Sequence, residues 1–330
     1  MPLRENQFIE NALKGAGWAG LVVIGFAFGS YINSDRFCEE NFPHINYNLA
    51  CDEKPAVSKA AYFTFESELE KYLAEEKVKG NLSEAAVFFR DLLLGPTFGI
   101  NEERRFISAS LLKLPLAMTY YKLFEEDPGL LSTVVMFNEN VDDKKWAQTF
   151  SGKERAVIDT PYTLKDLIRL SIAHSDNLAT MGLFERLKVL RPGDVPLLNT
   201  YRELGLIPPE SAEQEDLSPQ GYASLFRLLY NVSYLNRNDS EEVLGMLAES
   251  SFDQGLAAGI PSEVEIANKF GEREGLANGQ KQLHDCGIIY YPDNPYLLCV
   301  MTRGYEYPKL LNVIAEISRR VYEEVDSRRF

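Results

Sequence analysis

Positively charged residues are in deficit in this chain. Its 34 Lys and Arg are outnumbered by 49 Asp and Glu, which gives a formal net charge of −15 at pH 7. Binding to nucleic acid needs clustered Lys and Arg that displace counterions from phosphates, so this balance argues against such a partner. The 330 residues, 45% of them hydrophobic, suffice for one large core or two modest ones.

Cysteine is also scarce. The four cysteines form two sequence-local pairs, Cys38 with Cys51 and Cys286 with Cys299, and neither spacing resembles a zinc site. Both pairs would suit disulfides in an oxidising compartment. Cys286 and Cys299 fall on two predicted neighbouring strands and could equally be buried thiols, so the sequence leaves their redox state open.

Long apolar runs are absent except for one near the N-terminus. Gly15 to Ile32 carries no charged residue and, at about 18 residues, is near the lower limit for crossing a bilayer. Arg4 and Lys14 precede it and acidic residues follow, so the positive-inside rule predicts a cytoplasmic N-terminus. We predict a transmembrane anchor or uncleaved signal over 15–33. A cleaved signal peptide and a buried core helix are the alternatives.

This segment divides the chain into predicted regions. Residues 1–14 would be a short cytoplasmic N-terminus. Residues 34–59, rich in Asn, Asp, Glu and Pro, are predicted to form an extracytoplasmic linker. The folded domain is predicted over 60–330, which makes the protein a single-pass protein of the cell membrane with its domain outside.

Strands are predicted at both ends of this domain, with helices between them. Ser108 is expected to cap the helix over 109–124, and Pro115 to bend it by removing a ladder hydrogen bond. The pattern predicts an α+β fold, in which an antiparallel sheet of N- and C-terminal strands packs with a mostly helical subdomain. The predicted helices cover 67–79, 109–124, 164–173, 178–190, 219–235, 240–248 and 308–326, and the strands 85–93, 97–100, 264–267, 285–291 and 296–302.

Ser110 and Lys113 form the first of three short motifs, S-x-x-K. Three positions apart on a helix, their side chains meet on one face. A serine hydroxyl needs a neighbouring base to become a nucleophile, and a lysine serves only if burial lowers its pKa. Leu111 and Leu114 supply apolar surroundings. Taken alone, the motif equally fits an exposed serine and a lysine whose amine reaches solvent.

Ser175, Asp176 and Asn177 form the second motif, between the helices predicted over 164–173 and 178–190. Ser175 can relay a proton towards a leaving group, and Asn177 can hold both the lysine and a substrate amide. The same tripeptide is also a good turn or helix cap.

Lys269, Phe270 and Gly271 form the third motif, after the strand predicted over 264–267. Here a lysine can favour an anionic substrate, and a glycine lets the backbone of a substrate approach. The tripeptide means little alone, so the order of the three motifs carries the argument.

In this order, the motifs resemble those of the penicillin-recognising serine enzymes, most closely the class A β-lactamase-like proteins, over roughly residues 60–330. The resemblance implies the fold already predicted and requires no metal or cofactor. The site residues that it implies are, for catalysis, Ser110, Lys113 and Ser175 and, for substrate binding, Asn177, Lys269, Phe270, Gly271 and Glu272.

The resemblance also implies a mechanism. Ser110 would be acylated and Lys113 would take part as proton acceptor. Backbone N–H groups of Ser110 and Glu272 would form the oxyanion hole that stabilises the tetrahedral intermediate.

Two features depart from the family's pattern. Phe270 stands where the family has Thr or Ser, and it cannot donate a hydroxyl hydrogen bond to a substrate carboxylate. The family's deacylating glutamate, in an E-x-x-L-N segment, has no match over 206–219. Glu210, Glu213 and Glu215 occur there, in what we interpret as a short, solvated acidic loop. The sequence therefore predicts formation of an acyl-enzyme more securely than its hydrolysis.

Histidine is rare too, which limits a competing scheme. His174 precedes the second motif, while His44 and His284 are scattered. A serine–histidine triad is the alternative, but no G-x-S-x-G elbow accompanies it. We interpret His174 as structural or site-lining.

Three functions remain open. The first is a membrane-anchored, β-lactamase-like serine hydrolase that acts on β-lactams or related acyl-D-Ala compounds. The second is a D,D-carboxypeptidase or transpeptidase acting on peptidoglycan stem peptides, which the missing deacylation motif favours. The third is a non-catalytic ligand-binding or sensor module that retains the fold.

Overall fold

The computed structural model describes residues 43–46, 62–93, 95–136, 148–190, 193, 195–211 and 214–328. Contacts divide the chain into two units, Met1–Glu53 and Lys54–Phe330. The predicted span 15–33, Cys38 and Cys51 lie outside the described residues. Within the residues that are described, no helix has the length and apolar character needed to cross a membrane.

The second unit carries the fold, with strands at both ends and helices between them. Its α-helices are α1 (Phe63–Val78), α2 (Lys113–Glu126), α3 (Leu164–Ala173), α4 (Asn177–Leu190), α5 (Pro196–Glu203), α6 (Pro219–Tyr230), α7 (Arg237–Ala248) and α8 (Tyr307–Ser327). Its strands are β1 (Glu84–Asp91), β2 (Thr97–Ile100), β3 (Phe106–Ile107), β4 (Val134–Met136), β5 (Pro161–Thr163), β6 (Glu215–Leu217), β7 (Ile266–Arg273), β8 (Lys281–Ile289) and β9 (Tyr296–Gly304).

Five strands form the main sheet, in the order β2-β1-β9-β8-β7, and every neighbouring pair is antiparallel. The N-terminal strands join the C-terminal ones through the β1–β9 pair. The α+β class and the antiparallel sheet built from both ends of the domain are therefore confirmed.

The sheet is buried on both faces. Alternate residues of a strand point to opposite faces, and in β9 Leu298 and Val300 join a core cluster with Val313 and Ile317 of α8. Met301, which alternates with Val300, is just as deeply buried on the other face. Helix α6 contacts β1, β8 and β9. Helices thus cover the sheet, and strand β7 brings the third motif to its edge.

The first motif begins in a 3₁₀ turn, Ala109–Leu112, which leads into α2. The prediction that Ser108 caps this helix is wrong, because its backbone is helical (φ −59°, ψ −32°) and its side chain makes no capping bond. Pro115 lies in the first turn of α2, where N–H groups have no partner within the helix. It therefore removes no bond from the α-helical ladder.

The acidic loop predicted over 206–219 is wrong for its second half. Strand β6 pairs there with β3, and Asp216 and Leu217 are buried. The sequence missed this strand because its only partner has two residues, far away in the chain.

Cys286 and Cys299 form a disulfide, which closes the alternative that the sequence left open. They are direct neighbours in the register of β8 and β9. Lys269 faces Cys286 from β7, and Phe88 faces Cys299 from β1. One row of residues thus runs across four strands, from Phe88 to Lys269.

Candidate active site

Burial sets the chemistry of the first motif. Lys113 is the first residue of α2 and only 3% of its surface is exposed, because Leu111 and Leu114 are fully buried beside it. This burial lowers the pKa of Lys113 to about 7, against the opposing effect of Asp176 and Glu272. An amine with this pKa is neutral in a large fraction of molecules near neutral pH and can accept a proton.

Hydrogen bonds bring the three motifs together. Nζ of Lys113 donates to the main-chain oxygen of Ser175 at 2.6 Å, to its Oγ at 3.2 Å and to Oδ1 of Asn177 at 2.7 Å. Nζ of Lys269 donates to the same Oγ at 3.0 Å and to the main-chain oxygen of Phe270 at 3.0 Å. The Ser175 hydroxyl therefore bridges two amines.

Lys269 also loses charge on burial. Desolvation holds the pKa of Lys269 well below its usual range, and the nearby Lys113 amine lowers it further. Asp285 and Glu272 act in the opposite direction. The site thus holds two buried lysines whose neutral forms are both favoured.

A cavity of about 690 Å³ opens in front of these groups, and Ser110, Lys113, Asn177 and Glu272 lie on its wall. Ser110 is half-buried. Its Oγ is not among the oxygens that Lys113 contacts, so the two side chains share the cavity without a direct bond. Ser175 and Lys269 are buried behind the wall.

A strained turn presents the second motif. Helix α3 starts with a capping box between Thr163 and Asp166 and ends at Ala173. Ser175 then has φ of 54°, a left-handed conformation that costs a non-glycine residue energy. Oδ1 of Asp176 accepts from Ala179 N–H at 2.6 Å and caps α4. The tripeptide is therefore a helix cap and a lysine ligand at once.

Gly271 allows β7 to approach the nucleophile turn. A Cβ built on it would lie 3.0 Å from Leu111 Cγ and 3.2 Å from the main-chain oxygen of Ser108. The close contact that this glycine permits in the structure is with the protein's own turn.

Phe270 lies away from the cavity. Its ring stacks on Phe252 at 4.1 Å, and Phe150 meets both rings edge-on. Nζ of Lys269 lies 4.5 Å from the Phe270 ring centre. The structure therefore does not bring this predicted substrate-binding side chain to the cavity wall.

Residues 148–156 connect the two sides of the site, which the sequence did not indicate. Oε1 of Glu272 accepts from Phe150 N–H at 2.9 Å, and Gln148 lies on the cavity wall. A Cβ at Gly152 would overlap the backbone of His174. The segment thus contacts β7 at one end and the second motif at the other.

His174 and His284 are not on the cavity wall. His174 is buried beneath Gly152, and burial lowers its pKa. His284 is buried beside Ile107, and burial lowers its pKa to about 3, which keeps it neutral. Of the described residues, no group of three or more His, Cys, Asp and Glu is arranged to hold a metal ion.

Asp216 is a site residue that sequence reasoning missed. It lies on the wall of the same cavity, and its Oδ1 accepts from Ser108 N–H at 3.1 Å. The pattern offered no signal for it, because an aspartate in an acidic run is most often solvated.

Fold and site together define a class A β-lactamase-like serine enzyme. The sequence model of the β-lactamase enzyme family matches residues 65–325, and the chain belongs to that family. The chain is similar to the extended-spectrum β-lactamase PER-1 of Pseudomonas aeruginosa, at 24% identity over 245 residues. This match covers 68% of the chain and 77% of the relative. The predicted resemblance is thereby confirmed.

Solved structures show the same fold. PBP-A matches with a TM-score of 0.66 at 20% identity, over 84% of this chain and 99% of that one. A mutant of PBP-A has been solved as an acyl-enzyme complex with penicillin G, with the same scores. A class A β-lactamase from Mycobacterium abscessus matches with a TM-score of 0.64 at 19% identity, over 78% of this chain and 99% of that one.

Proposed function

We propose that the protein is a serine hydrolase that forms an acyl-enzyme at Ser110 with β-lactams or related acyl-D-Ala compounds. The observation that carries this proposal is the buried Lys113, whose pKa of about 7 makes its amine a base beside the predicted nucleophile. PER-1 is named as a β-lactamase, and a mutant of PBP-A was solved as an acyl-enzyme complex with penicillin G; both support the choice of substrate class.

The side chains support a complete acylation step. Oγ of Ser110 attacks the carbonyl carbon while its proton passes to the neutral amine of Lys113. Backbone N–H groups of Ser110 and Glu272 stabilise the resulting oxyanion. As the carbon–nitrogen bond breaks, the Ser175 hydroxyl passes its proton to the leaving nitrogen, and an adjacent amine replaces that proton.

Intact-mass spectrometry after exposure to benzylpenicillin tests the proposal. The wild-type protein should gain one penicilloyl group, and Ser110→Ala should gain none. Ser211→Ala is the matched control, since Ser211 is an exposed serine on the same cavity wall. It should be acylated like the wild type. A wild type that stays unmodified, or a Ser110→Ala variant that is acylated, would refute the acyl-enzyme.

A D,D-peptidase activity on peptidoglycan stem peptides is the second candidate. The missing E-x-x-L-N segment favours it, as does the similarity in fold to PBP-A, a mutant of which was solved as an acyl-enzyme complex with penicillin G. Release of D-alanine from a D-Ala-D-Ala peptide, compared with turnover of a chromogenic cephalosporin, separates the two activities. Reversible binding without any mass increase would instead identify a non-catalytic binding module.

We also propose that residues 15–33 anchor the protein in the cell membrane, with the catalytic domain on the outer side. The uncharged run from Gly15 to Ile32 and the basic residues before it support this location.

A further inference from the structure

The pairing of β6 with β3 carries Asp216 to the nucleophile turn. In this pair, Phe106 faces Leu217 and Ile107 faces Glu215. Strand β3 leads directly into Ser108 and the 3₁₀ turn that holds the nucleophile. The bond from Ser108 N–H to Oδ1 fixes the carboxyl group at this point.

The second carboxyl oxygen of Asp216 has no such bond. The residue is 4% exposed, and its Oδ2 is buried without a hydrogen-bond partner among the described residues. A buried polar atom that is left unpaired costs free energy, and it therefore needs an explanation in terms of function or a bound water. Asp216 and Ser110 line the same cavity, so the carboxyl group of Asp216 borders the space in which an acyl group on Ser110 would lie.

Among the described residues, two other carboxylates line this cavity, Glu185 and Glu272. Glu185 is exposed and forms an ion pair with Lys188 at 2.8 Å. Oε1 of Glu272 accepts from Phe150 N–H on the β7 side of the site, and its Oε2 is also buried without a partner among the described residues, but the residue as a whole is less buried than Asp216. Asp216 combines deep burial with a wall position beside the residues that lead into Ser110.

The surroundings of Asp216 also favour a base. Burial raises the pKa of Asp216, while its bonds with Ser108 and its own N–H, and the charge of Arg105, act in the opposite direction. Tyr201 is a further titratable group that interacts with it. A carboxylate is a better general base when its pKa lies closer to the operating pH.

We infer that Asp216 is the general base that hydrolyses the acyl-enzyme, an inference that rests on the proposed function. A water oxygen bonds to the acyl carbonyl carbon as its proton passes to the carboxylate of Asp216. The bond between that carbon and Ser110 Oγ then breaks, and the proton on Asp216 returns through water to Oγ. This route needs no E-x-x-L-N glutamate.

The test separates formation of the acyl-enzyme from its decay. Wild type, Asp216→Asn and Glu185→Gln are mixed with benzylpenicillin, excess ligand is removed, and intact mass is followed with time. The asparagine keeps an acceptor for Ser108 N–H. Asp216→Asn should be acylated at the wild-type rate but lose the adduct more slowly by a factor on the order of 10² to 10⁴. Glu185→Gln should match the wild type in both steps.

Several outcomes would overturn the inference. In one, Asp216→Asn loses the adduct as fast as the wild type; in another, its acylation and decay slow by the same factor, which indicates a structural role. A wild-type adduct that persists as long as the variant's overturns it as well. If the wild type forms no adduct at all, the proposed function itself is refuted.

A measurement on the wild type tests the inference even if the Asp216→Asn variant does not fold. The decay constant of the adduct should fall as pH drops and Asp216 becomes protonated. A decay constant that does not fall in acid would overturn the inference.

Discussion

The amine of Lys113 donates to three oxygens, and none of them belongs to a carboxylate. Asp176 and Glu272 favour its charged form only through longer-range interaction, and burial outweighs them. A direct ion pair would have held the pKa of this lysine high and left no base for Ser110. The neutral main-chain and amide oxygens position the amine without removing its function.

Acylation should therefore depend on pH through this one amine. The pKa of Lys113 is lowered from its usual 10.5 to about 7, so the amine is protonated below that value and cannot accept a proton. The acylation rate with benzylpenicillin should rise with pH through about 7 and then level off.

Mixing experiments over a series of buffers would measure this profile. Lys113→Arg is the control, because arginine stays protonated at every accessible pH. Its acylation should be slower by roughly 10² to 10⁴ and lack the rise near neutrality. A wild-type profile that is flat through neutrality would contradict this role of Lys113.

At the scale of single residues, the sequence indicated the site residues that belong to short motifs. It missed a site residue that belongs to no motif. Ser175 and Asn177 contact Lys113, and Lys269 contacts Ser175; the sequence indicated these residues because each belongs to a short motif that can be recognised without the fold. Asp216 could not be predicted, because its hydrogen bond with Ser108 N–H forms only through the pairing of β3 with β6.

Among the elements, β7 packs against the 3₁₀ turn that holds Ser110, the proposed nucleophile. Gly271→Ala would place a methyl group 3.0 Å from Leu111 Cγ and 3.2 Å from the oxygen of Ser108, so the turn must shift. We expect acylation of Ser110 to fall by roughly 3- to 10-fold, since a misplacement of about 1 Å costs on the order of 10²-fold and the shift here is a few tenths of an ångström. Stability should fall by about 1–3 kcal/mol.

Stopped-flow acylation and urea unfolding would measure the two effects. Gly129→Ala is the matched control, because the nearest atom to its new Cβ, Asp127 Oδ1, is at an ordinary 3.4 Å. It should leave acylation unchanged. Equal acylation by Gly271→Ala and the wild type would show that the turn tolerates the methyl group.

The bounds of a helix were predictable where local sequence signals mark them. Helix α3 has the predicted bounds, and Thr163 with Asp166 forms its capping box. The helix predicted over 219–235 instead ends at Tyr230, and Val232 follows with φ of 50°. A β-branched residue rarely adopts this conformation, so a valine at position 232 did not indicate that the helix ends there.

At the scale of the whole molecule, the predicted anchor over 15–33 can be tested in a bacterial host. The full-length chain should sediment with membranes and stay there in high salt, while a chain lacking residues 1–33 should be in the soluble fraction. Protease added to spheroplasts should digest the catalytic domain if it lies outside.

Full-length Ser110→Ala is the control for that experiment, since its partition should equal that of the wild type. A soluble full-length chain would contradict the anchor. An intact mass that lacks the N-terminal residues would identify a cleaved signal peptide instead.

The covalent bond between Cys286 and Cys299 joins two central strands in the row that ends at Lys269. Sliding one strand past the other by a single position would turn its side chains to the opposite face. The two sulfur atoms would then point apart and could not bond. Closing this bond consequently fixes the alignment of β8 with β9, and β8 is the strand on which β7 and its Lys269 are then laid.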